Sequence, residues 1–209
     1  MDRSSAEILT IGHSMLTYEQ FLALVSRAGV TAIADVRSSP YSRNFPQFNK
    51  ETLKIKLKED GIAYSFLGEE LGGRPKDRAL YRNGIADYEQ MAKTPEFADG
   101  IKRVVEGSRR FRIALMCSES NPLDCHRCLL VGRALKRRGI GVGHVLQDGS
   151  IKLQSDIEAD LLRLACDDLD QSDLFAPPED RLANAYRARA RRVAYSTSNS
   201  VSTTNSAAE

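Results

Sequence analysis

Within one short stretch this chain gathers two thiols, a carboxylate, an imidazole and a guanidinium: Cys117, Glu119, Cys125, His126 and Arg127. Thiolates attack electrophiles or bind soft metals, imidazoles and carboxylates exchange protons near neutral pH, and a guanidinium fork matches a phosphate. Cys117 is therefore the candidate nucleophile, and Glu119 and His126 are the candidate acid or base. Gly12, His13, Ser14, Arg37, Arg74, Cys125 and Arg127 form the candidate binding set for an anionic small molecule, phosphate-bearing or nucleotide-like.

Each of these residues also has a structural use. A free cysteine such as Cys117 packs well as a small buried hydrophobe. Cys125 can serve helix-start packing, Glu119 can be a solvated carboxylate, and His13 and His126 can hold structural hydrogen bonds. Asp35 and Arg37 can be a fold-stabilising ion pair. Cys128, one helical turn past Cys125, and Cys166 read as core residues.

A frame must bring these scattered positions to one edge. The apolar run Phe111–Met116 reads as a buried strand that opens into the cysteine loop. The segment Cys125–Arg138 then reads as a helix, with Asp124 as its N-cap and Gly139 as its terminator. Further strands are expected at Glu7–Ile11, Thr31–Val36 and Ile62–Phe66, and helices at Thr17–Ala28, Lys50–Glu59 and from about Thr94 to Glu106. Pro40 and Pro46 argue against regular structure in the loop Arg37–Asn49, and Leu67–Asn83, rich in glycine, reads as a long irregular loop. Val142–Gln147 and Ile151–Leu153 flank the turn signal Asp148-Gly149, before a last core helix over Asp156–Cys166. Alternating strands and helices predict a layered α/β domain, its sheet largely parallel with helices on both faces, Rossmann-like or rhodanese-like. In such a fold, reactive groups at strand carboxyl ends facing a helix N-terminus are well placed for a ligand.

The chain has 209 residues, long enough for one well-buried domain, assigned to residues 1–168. Beyond it come an acidic, proline-containing linker at 169–180, a solvated basic helix or weak anion-binding patch at 181–195, and a tail at 196–209 whose Ser, Thr, Asn and Ala content predicts disorder. A formal charge of +2 points to neither a nucleic-acid nor a membrane partner. No signal-like or spanning apolar stretch is seen, so a cytoplasmic protein is expected, with its four cysteines reduced.

Four separated motifs then suggest a family. Thr10-Ile-Gly-His13-Ser14, the segment Asp35-Val-Arg37-Ser-Ser-Pro40 with Phe45-Pro-Gln-Phe-Asn49, the segment Tyr64 to Pro75, and Met116-Cys117-Ser-Glu119 with Cys125-His126-Arg127 occur in order. Together, over roughly residues 7–155, they resemble domain-of-unknown-function family 488. The resemblance implies an α/β domain and assigns no activity.

Several functional readings remain open at this level. In the first, the strand ends form an anion pocket for a small hydrolase or group transferase. No cofactor is assigned, because neither a Gly-x-x-x-x-Gly-Lys loop nor a complete Gly-x-Gly-x-x-Gly is present. In the second, Cys117 is a thiolate for sulfur or phosphoryl transfer, since the order of features through Val145-Leu-Gln-Asp-Gly149 is similar to rhodanese-like domains. The nine residues between Cys117 and Arg127, interrupted by Pro122, make a longer loop than such a cradle uses, and Cys125-His126-Arg127 is the alternative carrier of the reactive thiol. In the third, ligands drawn from Cys117, Glu119, Cys125, His126, His13 and His144 hold zinc or iron. The spacing is weak for this, with a single Cys-x-x-Cys at Cys125 and Cys128, and no metal ligand is assigned. In the fourth, a non-enzymatic module binds nucleic acid with help from the basic segment, although no aromatic platform supports it.

Overall fold

The computed structural model describes residues 6–166, leaving aside the Cys166 side chain, and 177–197. Most of the expected linker, the tail beyond Thr197 and the core position expected for Cys166 lie outside the described residues.

Six strands form one sheet: β1 (Ile8–Gly12), β2 (Ala32–Asp35), β3 (Ala63–Phe66), β6 (Ile113–Cys117), β7 (Val142–Val145) and β8 (Ile151–Leu153). Their order is β3-β2-β6-β1-β7-β8. The first five are parallel, and β8 turns back antiparallel along β7 through the expected turn, where Gly149 takes a φ of 80°. β4 (Tyr81–Arg82) and β5 (Ile85–Ala86) make a separate small hairpin. The layered α/β architecture is thus as the sequence pattern requires. β1, β2, β6 and β7 are buried along their whole length, which explains why they read as continuous apolar runs.

Strand side chains alternate between two cores. Ile113, Leu115 and Cys117 enter one core, and Ala114 and Met116 enter the other. The second core lies beneath α1 (Tyr18–Arg27) and α2 (Lys50–Glu59), which carry the chain outward from β1 to β2 and β3. Thr17 starts α1 with a capping box shared with Gln20. On the other face lie α3 (Gly68–Leu71), α4 (Tyr88–Met91) and α5 (Pro95–Ser108), and α5 returns the chain to β6, inserted between β2 and β1. The carboxyl end of β6 therefore sits where the direction of winding reverses, the place where open α/β sheets leave a crevice.

Three local expectations about loops and helix starts need correction. Leu67–Asn83 is not one irregular loop, since it holds α3 and a 3-10 turn at Arg78–Leu80 before β4. The hairpin it leads into turns at Asn83-Gly84, both with positive φ, a turn signal present in the sequence. After β6, Asp124 does not cap a helix. It closes a 3-10 turn, Pro122–Asp124, that Asn121 caps. Cys125 is still extended, and the backbone then winds as a π-helix over Arg127–Gly132 and as α6 over Arg133–Arg137. Single π turns inside helices often mark functional sites.

The last helices are α7 (Gln154–Cys166) and α8 (Pro178–Val193). The basic segment is not a solvated helix: it docks on the domain, with Ala185 and Tyr186 buried. Leu182, Ala185, Tyr186, Ala190 and Val193 recur at helical spacing and form an apolar stripe between the arginines. Among the described residues no helix is long and apolar enough to cross a membrane.

A buried polar chain crosses this face of the sheet. Thr10 Oγ1 donates to His144 Nδ1 (2.8 Å), and His144 Nε2 must carry the ring proton because it faces the Gln154 carbonyl oxygen at 2.7 Å. Gln154 Nε2 donates to the Tyr186 hydroxyl (2.7 Å), which donates to Glu158 (2.9 Å). His13 and His144 both stay neutral: burial first, then Arg37 near His13 and Arg127 near His144, push their pKa down from 6.5 to about 4. An unfolded chain binds these protons at higher pH, so folding stability is full above about pH 6.5 and falls as pH drops toward about 4. The expected loss is about 2 kcal/mol per histidine at about pH 5, read from urea unfolding midpoints. His144→Asn should lose roughly half of this sensitivity, and an unchanged pH slope in that variant would contradict the assignment.

Candidate functional site

The site is built at the ends of β1 and β6. Gly12 pairs with Cys117 in register, and the pairing runs past both strands. His13 N–H donates to the Cys117 carbonyl (3.0 Å) and Ser14 N–H to the Ser118 carbonyl (2.8 Å). A β-carbon on Gly12 would lie 1.8 Å from the Glu119 carbonyl oxygen, so only glycine permits this approach. Ser14 adopts a φ of 47° as the chain turns away. From below, the guanidinium of the fully buried Arg127 donates to the carbonyls of Glu119 (2.5 Å) and Ser120 (2.9 Å) and to Thr10 Oγ1 (3.3 Å). The 117–120 loop is thereby fastened at both its backbone edges.

That loop and the start of the π-helix bring Cys117, Cys125 and His126 together. All three are buried, and their donor atoms lie within 4.8 Å of one another. His126 Nδ1 stands 3.7 Å from Cys117 Sγ and 3.8 Å from Cys125 Sγ. Its Nε2 faces the Val36 carbonyl at 2.9 Å, so Nε2 carries the proton and Nδ1 is turned to the sulfurs. Gly73 packs against the ring beside Cγ and Nδ1, where a β-carbon would be 2.8 Å from Cγ and 2.9 Å from Nδ1.

The charges of this cluster are set by the contacts. The Cys117 thiol is pushed up, because it donates to Cys125 and because it is buried. Burial opposes ionisation of Cys125, but the hydrogen bond from Cys117 and the nearby Arg127 and His126 charges hold it well below its ordinary value. Burial likewise opposes a charge on His126, and the Cys125 sulfur and the Val36 carbonyl overcome it, raising its pKa. Of the two sulfurs, Cys125 is the one whose surroundings favour the thiolate. Glu119 is exposed as a residue, yet its carboxyl turns inward to Cys117 Sγ at 3.7 Å. Partial burial and then the Cys125 sulfur raise its pKa.

The cluster floors a cavity of about 130 Å3, lined also by Ser38, Ser39, Arg74, Tyr88, Glu119 and Tyr195. Cys117, Glu119, Cys125, His126, Arg37 and Arg74 of the expected set lie along it, whereas Gly12, His13, Ser14 and Arg127 do not line it. Arg37 is engaged with protein: a bidentate pair with Asp35 (2.8 and 2.6 Å), a bond to the Phe48 carbonyl (2.8 Å) and a contact with His13 Nε2 (3.3 Å). His13 stacks on Phe48 with centroids 4.2 Å apart. His144 belongs to the polar chain described above, so the wider metal-ligand set contracts to Cys117, Cys125 and His126, with Glu119 beside them. Tyr88 and Tyr195 were not anticipated. Nothing in their local sequence marks them.

The family described as Domain of unknown function DUF488 matches residues 17–134, and the chain belongs to it. No curated protein and no solved structure matches the chain. The clamp yields a direct prediction. Arg127→Met leaves two loop carbonyls without their buried donor and should destabilise the fold by about 3 kcal/mol in urea unfolding. A loss below about 1 kcal/mol would show that the loop is held by other means.

Proposed function

We propose that this family member is a zinc-dependent hydrolase whose metal is held by Cys117, Cys125 and His126. One observation carries the proposal: three buried donor atoms of metal-binding type converge on one point at the floor of a cavity. The spacing supports it. With zinc–sulfur bonds of about 2.3 Å and zinc–nitrogen bonds of about 2.0 Å, the sulfur-to-nitrogen edge of a tetrahedral site is about 3.5 Å. The two edges here are 3.7 and 3.8 Å. The hydrogen bond from His126 Nε2 to Val36 is the kind of outer contact that orients a ligating imidazole. Two thiolates and one imidazole favour zinc over harder ions, and three protein ligands leave a fourth position open toward the cavity.

Zinc in such a site supplies a bound water acidic enough to ionise near neutral pH. Glu119, its carboxyl adjoining the cluster, would hold the proton given up by that water and deliver it to the leaving group as the bond to that group breaks. Arg127 and Gly12 keep the loop that carries Cys117 and Glu119 in place.

The rhodanese-like alternative rests on Cys125 rather than Cys117, since Cys125 is the sulfur favoured as thiolate. It has weaker support from the loop, whose Glu119 and Ser120 carbonyls turn to Arg127 instead of offering a ring of N–H donors.

Elemental analysis of reduced, chelator-free protein separates the two. Wild type should carry a single zinc per chain, Cys117→Ser and Cys125→Ser should lose it, and Glu119→Gln should retain it. Metal-free wild type in which Cys125 is rapidly alkylated at neutral pH would replace the metal proposal with the thiolate one.

A further inference from the structure

One wall of the cavity comes from the far end of the chain. Val193, the last residue of α8, and Tyr195, just past it, line the cavity with Cys117, Cys125 and His126. The segment is fastened like an added strand. Ala86 N–H donates to the Tyr195 carbonyl (2.9 Å), Ser196 bridges Ile85, and Thr197 N–H donates to the Gly84 carbonyl (2.9 Å). Arg189, on α8, anchors it from the other side by donating to the Leu123 carbonyl (3.1 Å) and pairing with Asp124, the residue before Cys125.

Tyr195 is thus a fixed ring at the cavity, and Arg74 lies on it. The guanidinium carbon is 4.8 Å from the ring centroid, and Tyr81 supports the same ring edge-on at 6.4 Å. The backbone of Arg74 is tied by its N–H to Ser38 Oγ (2.9 Å). A stacked guanidinium uses its face and keeps its in-plane N–H donors for another acceptor. Among the described residues Arg74 makes no ion pair, in contrast to Arg37 with Asp35 and Arg189 with Asp124. Of the three arginines expected to bind an anion, Arg127 serves the loop and Arg37 serves the Asp35 pair, which leaves Arg74.

We propose that Arg74 and Tyr195 together form the oxyanion-recognition element of this cavity, for a phosphate or carboxylate group carried by the substrate. Tyr195 is the specificity-determining residue, because its ring holds the Arg74 guanidinium at the cavity. The proposal rests on the cavity being the substrate site, and it does not require the metal.

The test is calorimetric titration of inorganic phosphate and, separately, acetate into wild type, Arg74→Gln, Tyr195→Ala and Tyr195→Phe, with zinc content measured on the same samples. Wild type should bind at least one of the two anions, and the tighter one names the group. Arg74→Gln should weaken that anion by tenfold or more, Tyr195→Ala by roughly threefold, within the range of an exposed cation–π contact, and Tyr195→Phe hardly at all. Zinc content should be equal in all four. Three results would overturn the proposal: no binding of either anion to wild type at millimolar concentration, unchanged affinity in Arg74→Gln, or a loss in Arg74→Gln with none in Tyr195→Ala. If no sample contains zinc while the affinity pattern holds, the metal proposal fails and the recognition element stands.

Discussion

A guanidinium that has left water must find acceptors around its whole edge, and the placement of Arg127 organises much of what surrounds it. Its donors reach Thr10 on β1 and the carbonyls of Glu119 and Ser120 beyond β6. Those two carbonyls fix the loop that bears Cys117 and Glu119. Thr10 in turn donates a hydrogen bond to His144, and the chain continues through Gln154 and Tyr186 to Glu158. One buried cation therefore connects the candidate centre to the helices that close the domain. A network of this kind is stable only when every member is satisfied, which it is here: among the described residues no buried side-chain polar atom lacks a partner.

The remaining arginines divide according to what neutralises them. Arg37 lies between Asp35, the Phe48 carbonyl and His13, so its charge is absorbed by the fold. Arg133 pairs with Glu89 and lies over Tyr186, which helps seat α8. Arg74 alone of those along the cavity rests on an aromatic face, an arrangement that leaves its donor edge available. The distinction matters chemically. A positive charge already matched by a carboxylate adds little attraction for an incoming anion, whereas one held by a ring keeps most of it.

Several elements were legible in the residues themselves because local rules decide them. Lys50–Glu59 forms a helix over the bounds its apolar pattern predicts, Thr17 caps α1, and Asp148-Gly149 turns the β7–β8 hairpin. The cluster of Cys117, Glu119, Cys125 and His126 was visible because its members are near neighbours in sequence. Other features escaped for identifiable reasons. The apolar stripe of α8 is interleaved with Arg181, Arg187, Arg189, Arg191 and Arg192, and the charge pattern obscured it. The π winding over Arg127–Gly132 has no signature in composition, since the same residues suit an α-helix.

From the sequence alone came the family, the layered α/β class and the list of groups able to do chemistry, because strand and helix periodicity and short motifs are properties of neighbouring residues. Which of those groups meet was decided only by the tertiary structure. The candidate residues at strand ends looked alike along the chain, yet alternation across the sheet sends Cys117 to the face that holds Cys125 and His126, while His13 stacks on Phe48 and His144 joins a polar chain. Arg127 turned from a candidate ligand into the clamp of the loop, and Tyr195, more than a hundred residues from Arg74, came to lie against it. The physical reason is that pairing of buried polar groups depends on distance and burial across the fold, and neither is a function of position along the chain.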